Sequence, residues 1–218
     1  MALIEIDSAL EGLILLGVFQ AEGIGPTGPC EALDEALAAL VRTTGEQYGE
    51  PAQASALFRP ARELYRSIGL DPTRRRPSSE ALIRRAIKGT PLYRINRVVD
   101  TCNLCSMDFA LPIGLYDTNE VRWPAQLRLG RGGEGYKGLG KDHVNVSGRW
   151  TLADREGPFG NPSSDSFRTR IRDETTACTF VIYAPASYGR EPLEARVDQA
   201  RQRMERFAGG HASEGEVL

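Results

Sequence analysis

The stretch Ile95-Asn-Arg-Val-Val-Asp-Thr-Cys-Asn-Leu-Cys-Ser-Met-Asp-Phe-Ala-Leu-Pro-Ile-Gly-Leu-Tyr-Asp117 changes periodicity near its middle. Its first half predicts a helix from Asn96 to about Asp108. Val98, Cys102 and Cys105 fall there at i, i+4 and i+7 and make one apolar stripe. The second half, Phe109 to Tyr116, reads as a strand. A helix leading into a buried strand sets the frame for the rest of the chain.

Upstream, the apolar run Leu13–Phe19 is flanked by Gly12 and Gly17 and reads as another buried strand. Glu5, Asp7 and Glu11 precede it where a signal peptide carries cations, and the run is too short to cross a bilayer. A cytoplasmic protein is therefore expected. Helices are predicted over Cys30–Thr44, Pro60–Ile68 and Ser79–Lys88, the last with Ser78 as its cap. A loose segment, Gly45–Phe58, is expected between the first two. Downstream, Gln126–Leu129 and Ala177–Tyr183 read as strands and Leu193–Phe207 as a helix. Residues 1–58 are read as a strand and helix of the same domain, 59–207 as the domain proper, and 208–218 as a flexible tail. Early helices and late strands indicate an α+β fold.

The 218 residues carry 27 Lys+Arg and 29 Asp+Glu, a net charge of -2. That balance excludes a protein that coats nucleic acid by bulk charge. The distribution is uneven, however. Residues 1–50 contain nine acidic residues and one basic residue, whereas residues 59–97 contain eleven basic and three acidic. Within the basic stretch, Arg74, Arg75 and Arg76 sit in a connector stiffened by Pro72 and Pro77. Arg84, Arg85 and Lys88 follow on one helix. Arginine in such a setting suits phosphate oxygens, which it grips bidentately.

Other constellations are weaker. Gly133-x-Gly135-x-x-Gly138 and Gly135-x4-Gly140-Lys141 imitate nucleotide loops, but Asp142 stands where a phosphate loop needs Ser or Thr, and no helix follows. Cys102 and Cys105 are read as core residues, because structural zinc needs four ligands and no second pair is near. Of the two histidines, His143 lies in an alternating stretch and reads as a strand surface position. Asn96, Asp100 and Asn103 form a polar stripe that fits either a solvated helix face or the wall of a cleft. Ser163, Ser164, Asp165, Ser166, Arg168 and Thr169 group after Gly160, as a polar turn or as a site offering carboxylate, hydroxyl and guanidinium groups. No cofactor or metal ion is expected.

Arg62-x-x-Tyr65-x-x-x-Gly69-x-Asp71-Pro72, Pro77-Ser78 and Ala81-Leu82-x-Arg84-Arg85, together with Ile95-Asn96-x-Val98-Val99-Asp100-x-x-Asn103 and Pro112-x-x-x-Tyr116-Asp117, resemble the B3/B4 domain family. That family takes its name from the tRNA-binding and editing domain of the phenylalanyl-tRNA synthetase beta subunit. The resemblance spans residues 59–207 and implies a single α+β domain with a β-sandwich of mixed strands flanked by helices. It implies tRNA or aminoacyl-tRNA as the partner, neither DNA nor a membrane, and either hydrolysis of mischarged aminoacyl-tRNA in trans or non-catalytic binding of tRNA or an amino-acid-like ligand. By the same resemblance, Asp165 and Asp117 are the candidate catalytic residues. Asn96, Asp100, Asn103, Ser166, Arg168 and Thr169 are the candidate substrate contacts, and Arg74, Arg75, Arg76, Arg84, Arg85 and Lys88 the candidate tRNA contacts. Nothing resembles an ATP-using activation core, so a complete ligase is not expected. One departure stands out: the synthetase pattern PLHxFD has a histidine where this chain has Gly114.

Overall fold

The computed structural model describes residues 3–218. Strand β1 (Ile4–Ile6) and strand β2 (Ile14–Glu22) are followed by helices α1 (Glu31–Gln47), α2 (Arg59–Ser67), α3 (Ser78–Ile87) and α4 (Arg97–Phe109). Then come β3 (Ile113–Asp117), β4 (Ala125–Leu129), β5 (Gly135–Gly138), β6 (Lys141–Asn145), β7 (Trp150–Asp154), β8 (Gly157–Asn161), β9 (Ser164–Asp165) and β10 (Ala177–Pro185). Helix α5 (Arg190–Ala208) and the short strands β11 (His211–Ala212) and β12 (Glu216–Val217) complete the chain. The α+β class expected from the order of elements is the class observed.

Two five-stranded sheets form the sandwich. One runs β1-β4-β7-β8-β9, with β1 parallel to β4 and the other pairs antiparallel. The other runs β11-β2-β10-β3, with β12 also on β2, and is antiparallel throughout. Alternation along β2 and β10 supplies both faces of this second sheet. Leu16, Val18, Val181 and Tyr183 point to the first sheet and join Leu127, Trp150, Leu152 and Phe159 in the inter-sheet core. Phe19, Ala21, Phe180 and Ile182 point the other way. They pack on Val98, Cys102 and Cys105 of α4 and Leu193, Val197 and Met204 of α5. A strand buried on both faces needs a continuous apolar run, which is what Ala177–Tyr183 provides. Cys102 and Cys105 are core residues, as their stripe indicated.

Four local expectations are corrected. Ser78 is the first residue of α3 rather than its cap; Pro77 holds the cap position and makes no side-chain capping bond. The segment expected to be loose after residue 45 begins as the last turn of α1 and ends by burying Ala54 and Phe58 against α3 and α4. Residues 130–141, whose glycine content reads as a loop, contribute β5 and the start of β6 in a hairpin, so Gly135 and Gly138 are strand residues. The residues expected as a flexible tail pair with β2, and Leu16 and Leu218 exchange backbone hydrogen bonds at 3.0 and 2.8 Å. Among the described residues, no helix is long and apolar enough to cross a membrane.

Candidate active site and basic pocket

The edge strands of the two sheets, β3 and β9, meet beside α4. A cleft of about 470 Å³ opens there. Its walls are largely apolar: Ile95, Val99, Ile113, Leu115, Leu139 and Ile171. Asn103 and Ser106 from α4, Asp165 from β9 and Arg170 supply the polar groups. Few convergent polar groups on an apolar lining is the usual composition of a small-ligand site.

Asp165 is the unusual member. Its Oδ1 is shielded from solvent and makes no hydrogen bond. Burial pushes the carboxyl up to about 7, against the Tyr116 hydroxyl and the Leu115 backbone, which favour the ionised form. The segment carrying it is clamped by two phenols. Tyr65 donates to the Pro162 carbonyl at 2.8 Å and Tyr136 to the Ser164 carbonyl at 2.5 Å. Asn161 accepts from the backbone N–H groups of Ser163 and Ser164, which turns the chain into β9. Strand β9 is only two residues long, so these bonds, more than the sheet ladder, hold Asp165 in place.

Gly114 explains its own departure from the histidine pattern. It lies on β3 two residues before Tyr116, on the same face of the strand. The Tyr116 ring runs over both Gly114 and Gly160, and a Cβ at either would overlap its hydroxyl. That hydroxyl lies 2.9 Å from the hydroxyl of Tyr183 in the inter-sheet core. The space next to position 114 is thus filled by phenol, and no imidazole fits there while Tyr116 stays.

The predicted site residues separate into those at the cleft and those occupied elsewhere. Asp165 and Asn103 line it. Asn96 is the N-cap of α4, its side chain accepting from the Val99 N–H at 2.9 Å. Asp100 is buried and accepts from Arg94 Nε at 2.7 Å and the Ile95 N–H at 3.0 Å. The stripe of Asn96, Asp100 and Asn103 is therefore neither a solvated face nor a continuous polar wall. Asp117 accepts from the Asn119 N–H at 3.1 Å and the Thr175 hydroxyl at 2.6 Å, and it does not line the cleft. Ser166 and Thr169 are buried with their hydroxyls 2.9 Å apart. Arg168 grips the buried Asp154 through both terminal nitrogens at 3.0 Å. The neighbouring Arg170 reaches the cleft instead, stacked 3.6 Å from the Phe167 ring centroid. Sequence reasoning missed Arg170 and Ser106: Ser106 extends the polar stripe at i+3 from Asn103, whereas no spacing marks Arg170.

The basic residues also divide. Arg84 donates to Glu80 at 2.7 Å, and Arg85 donates to the Pro91 carbonyl and covers the Tyr93 ring at 4.2 Å. Arg74, Arg75 and Arg76 line a second pocket of about 560 Å³, together with Lys141, His143 and Arg149. Lys88 lies outside both cavities.

The family model of the B3/4 domain matches residues 60–208. No curated protein matches by sequence. Among solved structures, the chain is similar to an N-terminal fragment of the phenylalanyl-tRNA synthetase beta subunit from Pyrococcus horikoshii. The TM-score is 0.48 and the identity 13%, over 96% of this chain and 49% of that one. The chain thus spans about half the length of that structure. The family model covers more than half of the chain, including every residue that lines the cleft, and this protein belongs to the B3/4 domain family.

Proposed function

We propose that the protein binds the aminoacylated end of a tRNA and hydrolyses the ester there, with Asp165 as general base. The observation that carries this reading is the half-buried Asp165 carboxyl lining the cleft, with one shielded oxygen that makes no hydrogen bond and a pKa that burial pushes up to about 7. A base poised near the working pH combines a useful ionised fraction with proton affinity. A water held in the cleft against the Asp165 carboxylate gives its proton to that carboxylate as its oxygen bonds to the ester carbonyl carbon. The ester C–O bond then breaks, and the leaving ribose oxygen takes that proton back, so amino acid and tRNA are released and Asp165 is regenerated. Arg170 is the cation that faces the negative charge developing on the carbonyl oxygen. Asn103 and Ser106 offer hydrogen bonds to the amino group, and the apolar walls accept the amino-acid side chain. The match to the B3/4 family supports the choice of tRNA.

A panel of mischarged tRNAs tests the reading. At least one pair is expected to be deacylated faster than in buffer, and Asp165→Asn to abolish that gain. If no pair is hydrolysed while tRNA still binds, the protein is a binding module rather than an enzyme.

A further inference from the structure

The basic pocket has features of a phosphate site that the cleft lacks. Its cations come from two distant segments: Arg74, Arg75 and Arg76 from the connector before α3, and Lys141 and Arg149 from strand β6 and the turn after it, with the His143 imidazole beside them. Among the described residues, no carboxylate lines it. Arg74 meets Asp71 and Arg76 meets Glu80 at a loose 3.7 Å, while Arg75, Lys141 and Arg149 make no ion pair among the described residues. Burial and the facing Arg75 together push the Arg149 guanidinium below its usual range. Like charges are thus gathered without a protein counter-ion, an arrangement that an anion relieves.

Three stretches of chain contribute to both the pocket and the cleft. The connector gives Arg76 to the pocket, and Ser78, the first residue of α3 just after it, lines the cleft. The β5–β6 hairpin gives Lys141 to the pocket and Leu139 to the cleft. The turn into β9 gives Ser163 to the pocket and Asp165 to the cleft. Pocket and cleft are therefore built in part from the same stretches of chain. We infer that the pocket is a phosphodiester-binding site that holds the RNA backbone next to the ester engaged at Asp165. The identity of the ligand rests on the aminoacyl-tRNA reading, whereas the pocket's affinity for phosphate does not.

A 5′-fluorescein-labelled oligoribonucleotide, ACCA, titrated into the full-length protein at several salt concentrations, tests this. The double variant Lys141→Ala/Arg149→Ala is expected to weaken binding at least tenfold at low salt. It should also flatten the dependence of log K on log salt by about 0.7 for each phosphate that the variant no longer neutralises. Arg42→Ala/Arg206→Ala, which removes two charges remote from the pocket, should change neither quantity. Equal affinity for wild type and Lys141→Ala/Arg149→Ala, with both folded by circular dichroism, overturns the site. So does an equal loss in the two double variants. Inorganic pyrophosphate is the second probe. If it binds with the same sensitivity to Lys141 and Arg149 while the oligonucleotide does not bind, the assignment to an RNA strand is overturned. Deacylation is read separately. A pocket that binds RNA in a protein hydrolysing no mischarged tRNA leaves this inference standing and removes the proposed function. Intact hydrolysis with binding indifferent to Lys141 and Arg149 does the reverse.

Discussion

Glu80 and Asp165 are both shielded carboxylates, and their surroundings push them in opposite directions. Glu80, 1% exposed, accepts from Arg62 at 2.7 Å through both oxygens and from Arg84 at 2.7 Å, with Arg76 at 3.7 Å. Burial would raise its pKa, but those arginines outweigh burial and hold it below the usual carboxylate range. Asp165 has no such arginine pairing, and burial prevails. The first carboxylate ties α3 to α2 and fixes the arginines around it. The second is left with a free oxygen and an ionisation near neutrality. The pairing of a buried charge, rather than its burial, separates scaffold from chemistry in this molecule.

The largest expected effect falls on the unpaired member. Asp165→Asn removes the proposed base while keeping its size, and should lower deacylation of the best mischarged substrate by about 10²–10⁴-fold. Activity retained in that variant would place the base elsewhere. The paired member should respond in stability. Glu80→Gln leaves Arg62 and Arg84 facing a neutral amide, and is expected to cost about 3 kcal/mol in denaturant unfolding. An unfolding midpoint equal to that of wild type would show the arginine cluster to be incidental.

The third expectation sets the two residues in opposition. Asp165 is held protonated in the folded protein to a pH well above its unfolded value. The stability this gives is fully present below the unfolded pKa and is lost as pH rises towards 7. Asp165→Asn should therefore gain on wild type as pH rises, by about 2 kcal/mol between pH 5 and pH 8. Thermal unfolding of both proteins across that range reads the difference. A gap that stays constant with pH would mean that Asp165 ionises normally.

Periodicity made the layers legible. The apolar runs Leu13–Phe19 and Ala177–Tyr183 and the stripe Val98, Cys102, Cys105 lead directly to the sandwich and its helical cover. The site was legible only in outline. Asp117 and Asp165 are both acidic residues on short strands; only the fold reveals that Thr175 and the Asn119 N–H occupy one and nothing occupies an oxygen of the other. Arg168 and Arg170 have the same parity in an irregular segment, so no periodicity tells that Asp154 captures the first while the second enters the cleft. The runs Arg74–Arg76 and Arg84–Arg85 look alike as well. What distinguishes them is a hairpin far downstream, which with the turn after it adds Lys141 and Arg149 to the first run, while Glu80, Pro91 and Tyr93 engage the second.

The smallest expected effect isolates how the cleft tunes its acid. Tyr116 replaces the bulk of a side chain at position 114 and brings its hydroxyl towards Asp165, favouring the ionised carboxylate. Tyr116→Phe keeps the ring that packs edge-on against Phe159 at 5.0 Å and removes only the hydroxyl, including its bond to Tyr183. Loss of one buried hydrogen bond should cost about 1 kcal/mol of stability. The informative readout is the pH profile of deacylation. With one stabilising partner of the anion gone, burial opposes ionisation more fully, so the Asp165 pKa moves further up and the rising limb shifts to higher pH. A purely structural role for Tyr116 would lower the rate at every pH and leave the midpoint unmoved. A shift to lower pH would mean that the hydroxyl holds the carboxyl in its protonated form.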